Sequence, residues 1–353
     1  MAPKGGSLKV STTVTKLRRP NPEAAPASLE GQLNARLIGQ TQATRAIVPY
    51  VQMFQAGLSM EGRPAGVFLL LGPTGTGKTR TVETLAAALH GSERNLVKVD
   101  CGEFQMEHEV AKLIGAPPGY LGHRETPPML TQAKLSAAAS EKCPLSIVLF
   151  DEIEKAAASM TRLLLGVLDK ASLRLGDNTA VNFDRTLIFL TSNLGAQGIA
   201  KELRPGLGFE RPTVAAEERR ARLETVAVNA MKRKFTPEFV NRIDKVITYQ
   251  PLDRPALERI LGLELDEIQR HIDRRLTSRA FQLEVPLRAR RALLDQGTSP
   301  EYGARELKRT LQRSILQPLA ALVAESRIAP GSTVRVEFDG QDFVLDPPSS
   351  QAA

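Results

Sequence analysis

The sequence predicts an α/β domain built on a mostly parallel sheet, followed by a smaller, mainly helical domain that ends in a β-hairpin. Three observations carry this. Five short apolar runs of strand length alternate with stretches of helical periodicity. The first run leads directly into GPTGTGKT, residues 72–79. Near Pro251 the alternation stops, and helical patterns fill 253–327 before VRVEFDGQDFVL, 334–345.

The elements follow in order. Residues 1–28 are rich in Pro, Ser, Thr and Lys with little to bury, so they read as a disordered arm. The chain then divides into an arm at 1–30, a large domain at 31–249, a small domain at 250–346 and a tail at 347–353. A helix is expected over 40–59. GVFLLLG, 66–72, is short and continuously apolar, as a strand buried on both faces must be. Lys78 to His90 repeats Val82, Leu85, Ala86 and Leu89 at helical spacing, and Gly91 stops it. The other buried strands are expected at Leu96–Val99, Ser146–Phe150, Thr186–Thr191 and Lys245–Tyr249, giving five in all. The closing hairpin is expected to turn on Asp339-Gly340.

Composition narrows the function. The 353 residues are 42% hydrophobic and 24% charged, ordinary for a globular chain. No apolar run approaches the roughly 18 residues of a membrane span. The basic N-terminus lacks the apolar core of a signal peptide. Cys101 and Cys143 are too few for a disulfide framework or a zinc cluster, and both are expected reduced in a cytoplasmic protein. The net charge of +8 is spread along the chain apart from a small basic excess in the arm, which argues against nucleic acid as partner.

GPTGTGKT fits the phosphate loop G-x-x-x-x-G-K-[ST]. A buried strand precedes it and an amphipathic helix follows, the context such a loop needs. Gly72, Pro73, Thr74, Gly75, Thr76 and Gly77 form the turn whose backbone N–H groups curl around phosphates, with the helix N-terminus adding its positive dipole end. Lys78 is expected on the β- and γ-phosphates of ATP and the Thr79 hydroxyl on Mg²⁺. SIVLFDE, 146–152, delivers Asp151 to a strand's C-terminal end, where it is expected to hold Mg²⁺. Glu152 follows as candidate general base for the attacking water, so hydrolysis is expected and not binding alone. LIFLTSN, 187–193, ends in Asn193, which suits a γ-phosphate or water contact and, read alone, suits a turn equally well.

One loop resists a structural explanation. GAPPGYLGHRETPP, 115–128, is too rich in glycine and proline for a helix or central strand, yet it holds one of only four tyrosines. Tyr120 either folds back on its own domain or is exposed for a purpose.

Seven ordered blocks give a resemblance: LIGQ (37–40), GPTGTGKT, KLIGAPPGYLG (112–122), LFDEIEKA (149–156), LTSNLG (190–195), FTPEFVNRID (235–244) and YGARELKR (302–309). Over roughly 30–346 the chain resembles the AAA+ ATPases, specifically the second ATPase module of the Clp unfoldases and disaggregases ClpA, ClpB and ClpC. The resemblance implies a parallel five-stranded sheet with a helical lid domain. It implies that Asn193 reads the γ-phosphate, that Arg242 is an arginine finger reaching the neighbouring subunit's ATP, and that Arg305 touches nucleotide of its own chain. Leu37 and Ile38 match the apolar pair on adenine. GYLG matches a pore loop in which Tyr120 and Leu121 grip an unfolded polypeptide. GLGF, 206–209, matches in place the tripeptide by which ClpC-like unfoldases dock a ClpP-type peptidase, through Leu207, Gly208 and Phe209.

The resemblance further implies a homo-oligomeric ring, expected as a hexamer, that threads unfolded or tagged proteins using ATP and Mg²⁺. The chain departs from the pattern where HRETPPM follows GYLG and where Ala157-Ala158 replaces a His-Pro. The recruiting domain, first ATPase module and coiled-coil middle domain of the family are not expected here, so one ring is expected instead of two. The rival readings are a regulatory or scaffolding ATPase that remodels a folded partner without threading, and a DNA-remodelling ATPase.

Overall fold

The computed structural model describes residues 28–116, 127–196, 198–199, 216–298 and 303–346. Its strands are β1 (Gly66–Leu71), β2 (Val97–Asp100), β3 (Ser146–Asp151), β4 (Ser172–Arg174), β5 (Ala180–Asn182), β6 (Thr186–Ser192), β7 (Lys245–Thr248), β8 (Gln282–Glu284), β9 (Thr333–Phe338) and β10 (Phe343–Asp346). Its helices include α1 (Leu29–Arg36), α2 (Thr41–Gln55), α3 (Lys78–His90), α4 (Val110–Ile114), α5 (Gln132–Ala138), α6 (Ala158–Lys170), α7 (Ala216–Lys234), α8 (Pro237–Val240), α9 (Arg254–Leu276), α10 (Leu287–Gly297), α11 (Ala304–Leu311) and α12 (Gln317–Ala324).

The five expected buried strands form one sheet in the order β2-β3-β6-β1-β7, with every pairing parallel. The continuous apolar runs have a plain cause: both faces of the sheet are covered. In β1, Val67, Leu69 and Leu71 join one core while Phe68 and Leu70 join the other. In β6, Ile188 and Leu190 face the first core, and Leu187 and Phe189 the second. Met160 and Leu164 of α6 with Leu223 and Ala227 of α7 cover one face. Leu33 of α1, Ile47 and Val51 of α2, and Val82 and Leu85 of α3 cover the other. Successive side chains of a strand point to opposite faces, so neither core exists without the alternation.

Beyond β7 the chain is mainly helical. Leu257, Leu261 and Leu265 of α9 pack with Leu293 of α10, Leu307 and Leu311 of α11, and Val336 of β9. Four details differ from expectation. The hairpin β9–β10 pairs Phe338 with Phe343, so four residues, 339–342, connect the strands instead of a two-residue Asp-Gly turn. Asp339 fixes that loop by accepting from the N–H groups of Gln341 at 2.7 Å and Asp342 at 2.8 Å. The hairpin also has a third strand, β8, parallel to β9, which is too short to announce itself in sequence. In the first part, the small hairpin β4–β5 is likewise unforeseen. Helix α2 ends at Gln55, short of residue 59, with Gly57 in the left-handed region at φ 70°.

Candidate nucleotide site

The strand order places the chemistry. β6 lies between β1 and β3, so the C-terminal ends of three adjacent strands deliver the phosphate loop, Thr191 to Asn193, and Asp151 with Glu152 side by side. Ligands of open α/β sheets bind at such ends. Here a cavity of about 350 Å³ opens, lined by Leu37, Ile38, the loop from Thr74 to Thr79, Asp151, Glu152, Thr191, Asn193 and, from the helical part, Arg305.

The loop's shape has local causes. Gly72 sits at φ 147°, and a Cβ there would lie 2.6 Å from the Tyr249 carbonyl oxygen, so only glycine fits beside the edge strand. Thr76 Oγ1 donates to the Pro73 carbonyl at 2.8 Å and closes the turn. Gln40, in the LIGQ block, donates to the carbonyls of Thr76 at 3.1 Å and Gln250 at 3.0 Å, tying the start of α2 to the loop. Tyr249 is fully buried and donates to Thr81 of α3 at 2.7 Å.

Lys78 is buried. Its ammonium donates to the carbonyls of Gly72 at 2.6 Å and Pro73 at 2.9 Å and to Asn193 Oδ1 at 2.8 Å. These three bonds use all its donors. Burial pushes the Lys78 ammonium down to about 8; the nearby Glu154 carboxylate opposes the shift and the Arg305 charge adds to it. The Lys78–Asn193 bond joins two residues 115 positions apart in sequence.

Asn193 is a crossing point. Its Nδ2 donates to Glu152 Oε1 at 3.3 Å, and its backbone N–H donates to Glu154 Oε1 at 3.0 Å. Thr191 Oγ1 donates to Asp151 Oδ1 and accepts the Glu152 N–H at 3.0 Å. Glu152 itself occupies the left-handed region at φ 58°, a conformation a non-glycine residue holds only when its surroundings impose it. The Thr191 hydroxyl is one such constraint. Lys155 pairs with Glu152 Oε2 at 2.5 Å, and Lys98 with Asp151 Oδ2 at 3.1 Å. Thr79 Oγ1 stands 3.4 Å from both Asp151 oxygens. A hydroxyl and a carboxylate at that spacing are hard oxygen donors, the chemistry Mg²⁺ accepts.

The helical part closes the cavity. At Gly303, φ is 50° and a Cβ would lie 2.9 Å from the Gly75 carbonyl oxygen. The Ala304 N–H donates to that same carbonyl at 3.2 Å. The turn that starts α11 therefore rests on the phosphate loop itself and brings Arg305 into the wall.

Arg242 is placed differently. It sits in the turn between α8 and β7, does not line the cavity, and pairs through Nη1 with Asp169 Oδ1 at 2.7 Å. Tyr120, Leu121, Leu207, Gly208 and Phe209 lie outside the described residues. Thr191, Gln40, Lys155 and Asp169 were not singled out from sequence. Thr191 alone had a usable signal, a hydroxyl at the end of a strand two residues before Asn193. No helix among the described residues is long and apolar enough to cross a membrane.

Two domain families match the chain: an AAA domain (Cdc48 subfamily) over residues 63–246, and the C-terminal, D2-small domain of ClpB protein over 252–336. The chaperone protein ClpB of Rhodopirellula baltica is 36% identical over 90% of this chain and 34% of its own length. That of Meiothermus ruber is 37% identical over 87% of this chain and 34% of its own. A probable chaperone protein ClpB 1 of Chlorobaculum tepidum is 36% identical over 90% of this chain and 69% of its own. This chain thus spans about a third of the first two relatives. Among solved structures, a closed-state reconstruction of Hsp104 with ATPγS and FITC casein superposes with a TM-score of 0.75 at 27% identity, over 90% of this chain and 51% of that one.

Proposed function

The chain belongs to the AAA ATPase family and carries a ClpB-type C-terminal domain, and from that premise we propose that it is the ATP-hydrolysing motor of a ring that unfolds or disaggregates proteins. The observation that carries the reading is the linked set Lys78–Asn193–Glu152 and Glu152–Thr191–Asp151, which ties the phosphate loop to a carboxylate pair at one cavity. Glu152 is the general base, held in an imposed backbone conformation beside the place a γ-phosphate would occupy. Lys78 and Asn193 hold the β- and γ-phosphates, and Arg305 adds a same-chain charge from the wall. Leu37 and Ile38 cover the adenine. Thr79 and Asp151 would hold Mg²⁺, which neutralises phosphate charge when bound. Arg242 completes the site of the next subunit, since it stands outside its own.

Threading rests on Tyr120 and Leu121, and it accords with the solved Hsp104 reconstruction, which holds ATPγS and FITC casein. Docking of a ClpP-type peptidase through Leu207, Gly208 and Phe209 rests on the sequence resemblance alone; the curated relatives from Rhodopirellula baltica and Meiothermus ruber bear the ClpB name. The test is ATP-dependent unfolding of a tagged fluorescent protein, with and without a ClpP-type peptidase. Wild type should unfold it, and Tyr120→Ala should abolish unfolding while leaving basal hydrolysis largely intact. Equal unfolding by Tyr120→Ala and wild type would move the reading to a scaffolding ATPase. Degradation that depends on Phe209 would add the peptidase as partner.

A further inference from the structure

Asp169 has no evident local reason to be where it is. It is the penultimate residue of α6, whose buried face is carried by Met160, Leu164, Val167 and Leu168. A carboxylate in the last turn faces the negative end of the helix dipole and is disfavoured there. Beyond it, Ala171 turns into the left-handed region at φ 46° and the chain enters β4. Asp169 is ion-paired across 73 positions of sequence, to Arg242.

Arg242 shows the complementary pattern. Its backbone is firmly held: the Arg242 N–H donates to the Phe239 carbonyl at 3.2 Å. Two residues on, Asp244 accepts from the Val67 N–H at 2.8 Å and donates its own N–H to the Val67 carbonyl at 2.9 Å. The turn is thus fixed to β1, but a long side chain on a fixed turn still sweeps a wide volume. Among the described residues, the Asp169 carboxylate is the partner that limits it, at 2.7 Å. Arg242 Nε is buried and, among the described residues, accepted by nothing. The pair is about one-third exposed on each side, 35% and 32%, where ion pairs contribute little to stability. A carboxylate on one amino group leaves the rest of the planar fork to meet a second anion.

We infer that Asp169 is the positioning residue for Arg242: it holds the guanidinium in the orientation from which it meets the γ-phosphate bound by the neighbouring subunit. The inference rests on the proposed role of Arg242 across the subunit interface. It adds that the finger is aimed from the end of α6 and does not depend on its own turn alone.

The experiment uses the full chain and four variants: Asp169→Ala, Asp169→Glu, Arg242→Ala and the double Asp169→Ala/Arg242→Ala. Assembly and ATP affinity are checked for each. Asp169→Ala should assemble, keep its affinity for ATP, and lose about tenfold in kcat, a part of the about 10³–10⁵ that an arginine finger can contribute. Asp169→Glu should recover part of that loss, because the charge is kept. In the Arg242→Ala background, Asp169→Ala should cost nothing further, since the group it aims is gone. Mixing Asp169→Ala chains with Lys78→Ala chains should restore some hydrolysis, because the Lys78→Ala chain still carries an aimed finger. Three results overturn the inference while Arg242→Ala itself is slow: unchanged or raised kcat in Asp169→Ala, an equal further loss in the double variant, or a loss confined to KM. If Arg242→Ala hydrolyses ATP at the wild-type rate, the finger assignment itself fails, and the inference falls with it.

Discussion

Arg305 stands in the wall of its own chain's cavity, whereas Arg242 stands outside it. Arg305 follows a turn that lies on the phosphate loop, with Gly303 and Ala304 against the Gly75 carbonyl. Its charge is felt by the buried Lys78. Arg242 rides on the edge of the sheet beside β7, paired with the end of α6. On the proposed reading, the difference separates what one chain assembles by itself from what a neighbouring copy supplies. Everything from Lys78 through Asn193 to Glu152 is joined by bonds within the chain. Arg242 stands apart from that network, as a group that serves another copy's nucleotide would.

Removing Arg242 should break this contrast hardest. Arg242→Ala should lower kcat about 10³-fold with ATP still bound, the lower end of what such a residue supplies. Mixed with Lys78→Ala chains it should regain some activity, as measured by phosphate release at varied ratios. No recovery in rings shown to be mixed would mean that Arg242 acts within its own chain.

Glu152 belongs to the same-chain side. Glu152→Gln should bind ATP normally and hydrolyse it at least about 10²-fold more slowly, as expected for loss of a positioned base. Near-normal turnover would remove Glu152 from the chemistry.

Arg305→Ala sharpens the contrast from the other direction. It should weaken ATP binding about tenfold, the low end of the roughly 1.5–3 kcal/mol of a hydrogen bond to a charged group. It should stay weak in every mixture, because a residue acting on its own chain's nucleotide is not replaced by a neighbour.

The smallest effect concerns Lys78. Burial holds its free-state value at about 8, below that of an ordinary lysine. Bound phosphate favours the charged form, so binding draws a proton onto this group. Affinity should then be fully present below about pH 8 and lost as pH rises through it, by about fivefold between pH 8 and 9 for a group titrating near 8. Calorimetry in two buffers of different ionisation heat checks the proton uptake. A flat affinity over that range would show that Lys78 stays charged without nucleotide.

Much of the architecture was legible because it rests on local signals. All five strands of the parallel sheet could be placed, since a strand buried on both faces must be continuously apolar. The β4–β5 hairpin and β8 escaped because each has three-residue strands, with one residue in each strand of the hairpin reaching the core. The closing loop differs from a two-residue Asp339-Gly340 turn because the side chain of Asp339, not the dipeptide, sets its length. At the site, GPTGTGKT and LFDE were visible as contiguous motifs. Thr191 was signalled only by a hydroxyl at the end of a strand two residues before Asn193, and Gln40 and Lys155 by nothing, because each matters only for what it meets in space.

The sequence by itself determined the sheet and its two covered faces, the helical C-terminal part, the phosphate loop and the acidic pair after β3. Periodicity and contiguous motifs are local, and burial imposes them wherever the chain runs. Only the tertiary structure decided that β6 falls between β1 and β3, so that Asn193 bonds both Lys78 and Glu152. It alone decided that Gly303 rests on Gly75 and that Arg242 meets Asp169. Those contacts join residues tens to hundreds of positions apart, and no local propensity reports which distant side chain a polar group will find.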